Sequence, residues 1–279
     1  MSSNVMTVTT TMPSGDCHDE IVYIVGRYNK YSRNVCQTPW IIDGEKRMET
    51  SVQEIIIEKI GEFIQYEKYK FSSSGREDVD VRMLGRGRPF VIELTKPKCS
   101  TDINDEICAL IEDSLNTNCK DVQVRDLQLG EKNEVKEMMK LGEAEKTKDY
   151  RALCCIDRDF TDEDLSKLNR IHDFIISQKT PIRVLHRRSL ATRSRTIHKI
   201  SGTRNDSNAR LFTIDLTTEA GTYIKEFVHG DFGRTAPSLA DILENCRTDI
   251  IKLDVQNISM DWPPTKNRTQ VNIDRNEPT

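Results

Sequence analysis

No apolar run in the sequence approaches the ~18 residues that a membrane-spanning helix needs, so no membrane partner is expected. Residues 1–20 lack both a basic start and an apolar stretch, which argues against a secretory leader. No Cys-x-x-Cys pair occurs among Cys17, Cys36, Cys99, Cys108, Cys119, Cys154, Cys155 and Cys246, which disfavours a zinc ribbon. Scattered cysteines without a leader fit a reducing compartment, and hence a cytoplasmic or nuclear location. There is no internal repeat and no obvious interdomain linker. Positive charge is not in excess either. The net charge is −4, which argues mildly against a nucleic-acid partner unless the charge is unevenly spread.

It is unevenly spread. Arg183, Arg187, Arg188, Arg193, Arg195 and Lys199 fall in one stretch with His186 and His198 and no acidic residue. Of these, Arg187, Arg188, Arg193 and Arg195 are candidate phosphate contacts. A second basic run, Arg27 to Arg33, is interleaved with Tyr28 and Tyr31. Cations beside aromatic faces suit an RNA backbone and unstacked bases. The plainer alternative is two solvated strand faces.

At 279 residues, 36% hydrophobic and 31% charged, the chain can form one large domain or two small ones. Residues 1–20 and 265–279 read as disordered ends of a domain spanning 21–264. Ser51 with Glu54 marks a helix start. Val52, Ile55, Ile56, Ile60, Phe63 and Ile64 then fall on one face, predicting a helix over 51–66. Further helices are predicted over 103–116, 131–142, 161–177 and 222–229. Strands are predicted over 21–25, 68–72, 80–84, 89–94, 121–129, 150–156, 182–187, 195–201, 210–216 and 252–261. Gly85-Arg86-Gly87-Arg88 reads as a hairpin turn, and 182–187 with 195–201 as a strand pair. Elements intermixed without strict β-α-β spacing predict an α+β fold with a mixed, mostly antiparallel central sheet flanked by helices.

The most informative stretch is Gly75-Arg76-Glu77-Asp78-Val79-Asp80-Val81-Arg82-Met83-Leu84, an alternating strand loaded with three acids and two arginines. Asp78 falls where a glycine-led turn hands over to the strand, and loops on a rigid sheet carry catalytic groups. Asp78 and Asp80 share one face of an extended strand, so a metal-dependent phosphotransfer site is geometrically open. No third ligand of matching context accompanies them, and no metal is expected.

This stretch resembles the central motif of pseudouridine synthases, and is most similar to the archaeal and eukaryotic tRNA family that acts on T-loop uridines 55 and 54. Four other segments resemble the same family in the same order: Gly26 to Arg33 with Gln37-Thr38-Pro39-Trp40; Thr180 to Arg188; Gly221 to Thr235; and Leu253-Asp254-Val255 leading to Asp261-Trp262-Pro263-Pro264. The resemblance implies the pseudouridine synthase fold, a tRNA partner, no cofactor, and Asp78 as catalytic nucleophile. It implies Lys225 as the basic partner of Asp78 and Tyr150 as the ring that stacks on the target uracil. An aliphatic wall is implied from Ile242 or Leu243, with Leu243 preferred. Arg76 and Arg82 flank the nucleophile as substrate contacts, or form salt bridges with Glu77 or Asp80. Taken alone, a tyrosine at a strand start is more often a core residue, and only the resemblance reverses that for Tyr150.

Pseudouridine formation breaks a C–N bond and makes a C–C bond, with no redox change. A carboxylate in an enclosed pocket needs a cation beside it to stay charged, so Asp78 and Lys225 are expected to meet at one cleft floor. The alternative from another class is a catalytically inactive RNA-binding module of the same fold, which does not require Asp78, Lys225 and Tyr150 together. Family members usually carry a further N-terminal RNA-binding domain, in many cases with zinc-binding cysteines. Here the catalytic segment starts near residue 21, which leaves three alternatives: a naturally short protein, a truncated sequence, or a separate RNA-binding protein that helps to bind tRNA; a monomer is expected.

Overall fold

A computed structural model describes residues 21–98, 102–137, 147–244 and 246–266. In chain order the elements are β1 (Ile21–Lys30), β2 (Ile41–Ile42), β3 (Glu45–Lys46), α1 (Val52–Phe63), β4 (Lys68–Ser73), β5 (Val81–Thr95), α2 (Asp105–Asn118), β6 (Val122–Gly130) and β7 (Thr147–Ile156). They continue with α3 (Asp162–Asn169), β8 (His172–Lys179), β9 (Thr192–Arg204), β10 (Leu211–Glu219), α4 (Ile224–His229), β11 (Thr235–Ala236), α5 (Leu239–Ile242) and β12 (Thr248–Ile258). β2 and β3 form a small separate ribbon. The expected ends 1–20 and most of 265–279 lie outside the described residues, as does much of the helix expected over 131–142.

One sheet dominates, in the order β11-β8-β9-β10-β7-β12-β5-β1-β6, with β4 also on β5. It is antiparallel throughout except where β12 meets β5, so the architecture is α+β with a mostly antiparallel sheet. One half is built from residues up to 130 and the other from 147 to 236. β12 joins them: Leu253, Asp254 and Val255 pair with Val81, Arg82 and Met83 on one side, and Thr248 to Ile258 run against β7 on the other.

The helices pack where apolar residues recur. Ser51 caps α1 by accepting from the Glu54 amide, and Val52, Ile56, Ile57 and Ile60 are buried. Ile57 turns inward, whereas Phe63 is exposed. Thr161 and Asp164 cap α3 reciprocally.

Four predicted elements differ. Residues 85–88 are not a turn: β5 runs unbroken through them and bulges against β1 between Tyr28 and Lys30. Gly85 and Gly87 adopt φ of 58° and 82°. A Cβ there would lie 2.0 Å from the Gln256 carbonyl and 2.6 Å from the Tyr28 carbonyl, so glycine serves close strand approach. The helix expected over 161–177 ends at Asn169, and His172 belongs to strand β8 instead. Residues 182–187 form a short 3-10 turn and loop, and β9 takes β8 as its partner. The strand expected over 195–201 is longer, since β9 runs from Thr192 to Arg204.

The basic run Arg27 to Arg33 is neither an RNA-facing nor a solvated surface. Arg27, Tyr28 and Lys30 are fully buried. The Arg27 guanidinium donates to the carbonyls of Gly87, Met260 and Trp262 at 2.7–2.8 Å. Burial first, then the charge of Arg86, lowers it to about 10. The Lys30 ammonium donates to the carbonyls of Val79 at 2.7 Å and Asp78 at 3.3 Å, and Arg33 donates to the Asp80 carbonyl at 2.8 Å. These cations clamp the loop that precedes β5.

Candidate active site

Residues 74–80 link β4 to β5 and carry Asp78 to the seam of the sheet. A buried ion pair fixes the loop from below: Glu77 accepts from Arg88 Nε at 2.7 Å and from the Tyr28 hydroxyl at 2.8 Å. Arg88 also donates to the Ser74 carbonyl, and Gln37 holds the Gly75 carbonyl at 3.0 Å. With Glu77 facing the core, Asp78 faces outward. It sits half-buried in a cavity of about 400 Å³ lined by residues from both halves of the sheet.

Three cations converge on the Asp78 carboxylate. Arg183 Nη1 donates to Oδ2 at 2.7 Å, Lys225 Nζ lies 3.5 Å from Oδ2, and Arg187 Nη2 lies 3.7 Å from Oδ1. Lys225 stands on the first turn of α4. It gives its closest hydrogen bonds to Asp80, at 2.8 and 2.7 Å, so it bridges both acids. Burial would raise the Asp80 carboxyl, but the Lys225 bonds and charge outweigh burial and leave it lowered. Arg183 is held in turn by the buried Glu226, with Nε to Oε1 at 2.6 Å. Burial pulls its guanidinium down, the pairs with Glu226 and Asp78 raise it, and the net is upward. Among the described residues no group of three His, Cys, Asp or Glu side chains converges to hold a metal.

Tyr150 lies on β7, lines the cavity and is 9% exposed as a residue. Burial, partly opposed by Arg88, pushes its hydroxyl up to about 12, so the ring is neutral at physiological pH. The sequence-derived trio of Asp78, Lys225 and Tyr150 is thus assembled around one cavity.

The remaining candidates divide. Arg76, Arg187 and Arg188 line the cavity, and Arg76 donates to Thr38 rather than to Glu77 or Asp80. Arg82 makes a bidentate pair with Asp254 at 2.9 and 2.8 Å, which ties β5 to β12. Arg193 and Arg195 lie on β9 and do not line the cavity; Arg195 packs behind the lining residue Gly221 and is paired with Glu219 at 2.7 Å. Leu243 is completely buried at the end of α5 and does not reach the cavity. Its apolar wall comes instead from Val81, Val184, Ile224, Leu253 and Val255. Sequence reasoning missed Arg183 as the closest partner of Asp78, because residues 182–187 read as a strand. It also missed the Glu77–Arg88 support and Lys148.

The Asp78 carboxylate under three cations, at the seam of a two-part sheet and beside a buried aromatic ring, has the features of a functional site open to an anionic ligand. Residues 23–259 match the family model "Pus10, C-terminal", and the chain belongs to that family. It is 51% identical over 249 residues to tRNA pseudouridine synthase Pus10 of Xenopus laevis, covering 89% of this chain and 47% of that protein. It is 49% identical to the Homo sapiens protein of the same name, over 89% and 46% of the two chains. The archaeal namesake from Thermofilum pendens is 35% identical, over 87% and 54%. The chain therefore spans about half the length of these relatives. Among solved structures, the Cbf5-Nop10-Gar1 complex overlaps 85% of this chain and 48% of that one, with TM-score 0.42 and 15% identity.

Proposed function

We propose that this chain isomerises uridine to pseudouridine in the T-loop of tRNA, at position 55 with its neighbour 54 as a second site. The observation that carries the reading is the Asp78 carboxylate, held by Arg183 and Lys225 at the floor of a cavity walled by Tyr150. In this reading Asp78 is the nucleophile, a role open to carboxylates. The Tyr150 ring gives a flipped base an aromatic wall. The glycosidic C1′–N1 bond breaks, C1′ joins C5 of the same ring, the C5 proton leaves and N1 gains one, so no atom or electron enters from outside. The relatives' names support a tRNA substrate, and the arginines at the mouth support a polyanion.

The test is a position-by-position pseudouridine map of T-loop RNA incubated with the purified chain. Conversion at 55 or 54 is expected; an unmodified T-loop at stoichiometric protein removes the reading. The mouth arginines give a second expectation. Arg187→Ala or Arg188→Ala should weaken RNA binding and flatten the slope of log affinity against log salt by about one phosphate contact, ~0.7–0.9. Arg195→Ala should change the slope less, because its charge is already shared with Glu219. Salt titration of binding checks all three, and identical slopes would return Arg187 and Arg188 to the solvated surface.

A further inference from the structure

One cation in the cavity has no part in the chemistry above. Lys148 lies on β7 two residues before Tyr150, so both side chains leave the same face of the strand, about 7 Å apart along it. Both line the cavity. Lys148 stands well inside the sheet, opposite Thr218 of β10 and Ile258 of β12, where a lysine is an unusual choice. Among the described residues its ammonium makes no hydrogen bond and no ion pair, unlike Lys30 and Lys225.

Its surroundings make that isolation expensive. The charged groups nearest it are Arg88, on β5, and Glu77, in the loop before β5. The Glu77 carboxylate is already taken by Arg88 and the Tyr28 hydroxyl. Across the cavity stand Asp78, Arg183 and Lys225, which are engaged with one another and with Asp80 and Glu226. Tyr150 on its own strand is neutral. Lys148 and Arg88 both crowd the bare face of Gly75: a Cβ there would lie 3.1 Å from Lys148 Nζ and 2.7 Å from Arg88 Nη1. Burial first, then the Arg88 charge, lowers the Lys148 amine to about 7, with Glu77 opposing. A half-buried donor beside the base-stacking ring, with nothing to donate to, fits a group whose acceptor arrives with the substrate.

We propose that Lys148 donates a hydrogen bond to a ring carbonyl of the target uracil and stabilises the charge gathering there as the glycosidic bond opens. The inference rests on the uridine-isomerase reading. When C1′–N1 breaks, its electron pair passes to the ring and one negative charge spreads over N1, O2 and O4. A positioned ammonium at one of those oxygens stabilises this state more than the neutral bound base, which is what accelerates a step. The charge decays as C5 bonds to C1′ and the ring proton moves from C5 to N1, so Lys148 needs no net proton transfer.

The experiment compares wild type, Lys148→Met and Lys148→Arg on T-loop RNA with uridine, 2-thiouridine or 4-thiouridine at the target. Sulfur accepts hydrogen bonds more weakly than oxygen. In wild type, the thio group at the contacted position should slow single turnover markedly and the other should not. In Lys148→Met the uridine rate should fall on the order of 10²-fold, RNA affinity should hold, and the difference between the two thio substrates should vanish. Because the ammonium form is full below its folded pKa and lost above it, wild-type kcat/KM should decline as pH rises through about 7. Lys148→Arg should keep most of the rate and move that decline upward. A Lys148→Met protein isomerising at the wild-type rate overturns the inference. So do wild-type rates that are the same for all three bases, a comparison that needs no variant to fold. Wild-type turnover of plain uridine upholds the parent reading whichever way Lys148 falls.

Discussion

Asp78→Asn is expected to abolish isomerisation while RNA binding persists. The amide matches the carboxylate in volume, so the loop held by Lys30, Arg33 and the Glu77–Arg88 pair has no cause to move. What disappears is the charge. An amide cannot replace the anion as nucleophile, and loss of such a group typically lowers the rate by 10⁴-fold or more, on the order seen for other covalent catalysts. Binding draws on the mouth arginines instead. Arg183, Arg187 and Lys225 lose an ion-pair partner, but an exposed or half-exposed pair is worth only ~1 kcal/mol or less. RNA affinity should then shift by less than about fivefold. Single-turnover conversion of T-loop RNA and a parallel filter-binding titration check both halves. Turnover within tenfold of wild type would take the nucleophile role away from Asp78.

The largest effect on stability is expected at the residue next door. Glu77 is 5% exposed and its partner Arg88 1% exposed, with Tyr28 sealing the pair from the β1 side. Burial alone would lower the Arg88 guanidinium; the Glu77 charge reverses this and raises it. Glu77→Ala leaves that guanidinium buried without a counter-charge, which typically costs about 3–5 kcal/mol. Against a total stability of ~5–15 kcal/mol for an ordinary domain, the variant should be close to unfolding at 37 °C. Exchanging both partners for apolar residues, Glu77→Leu with Arg88→Met, should recover much of the loss, because the penalty belongs to the orphaned charge. Urea unfolding midpoints decide it. A single-variant loss under about 1 kcal/mol would mean that water reaches the pair and the loop is supported some other way.

What the sequence revealed and what it hid follow from the range of the interactions involved. The α1 face and the Thr161–Asp164 cap are local, set by contacts three and four residues apart, and were legible at once. Asp78, Tyr150 and Lys225 were legible through motif resemblance; no periodicity joins positions that far apart. Residues 172–177 read as helix because Ile171, Phe174 and Ile175 continue the α3 spacing. Strand pairing with β9 and β11 overrides it, and the chain turns at Arg170. Arg183 and Arg187 were placed on a strand, where side chains four apart stand roughly 13 Å from each other. The turn after Pro181 lets both approach the one Asp78 carboxylate. The run Arg27 to Arg33 misled most, since buried cations satisfied by backbone carbonyls carry the same letters as cations that face RNA.

The parallel seam sets a timetable for the protein. Asp78 comes from the first half of the sheet, Tyr150, Arg183 and Lys225 from the second, and the two halves meet through β12, whose residues are translated after all of them. A nascent chain that has not yet released residues 248–258 from the ribosome holds each group of the site but cannot bring them face to face. Long-range closures of this kind come late in folding. The cavity is consequently completed by β12, and Asp78 faces Lys225 only once Thr248 to Ile258 have joined the two halves.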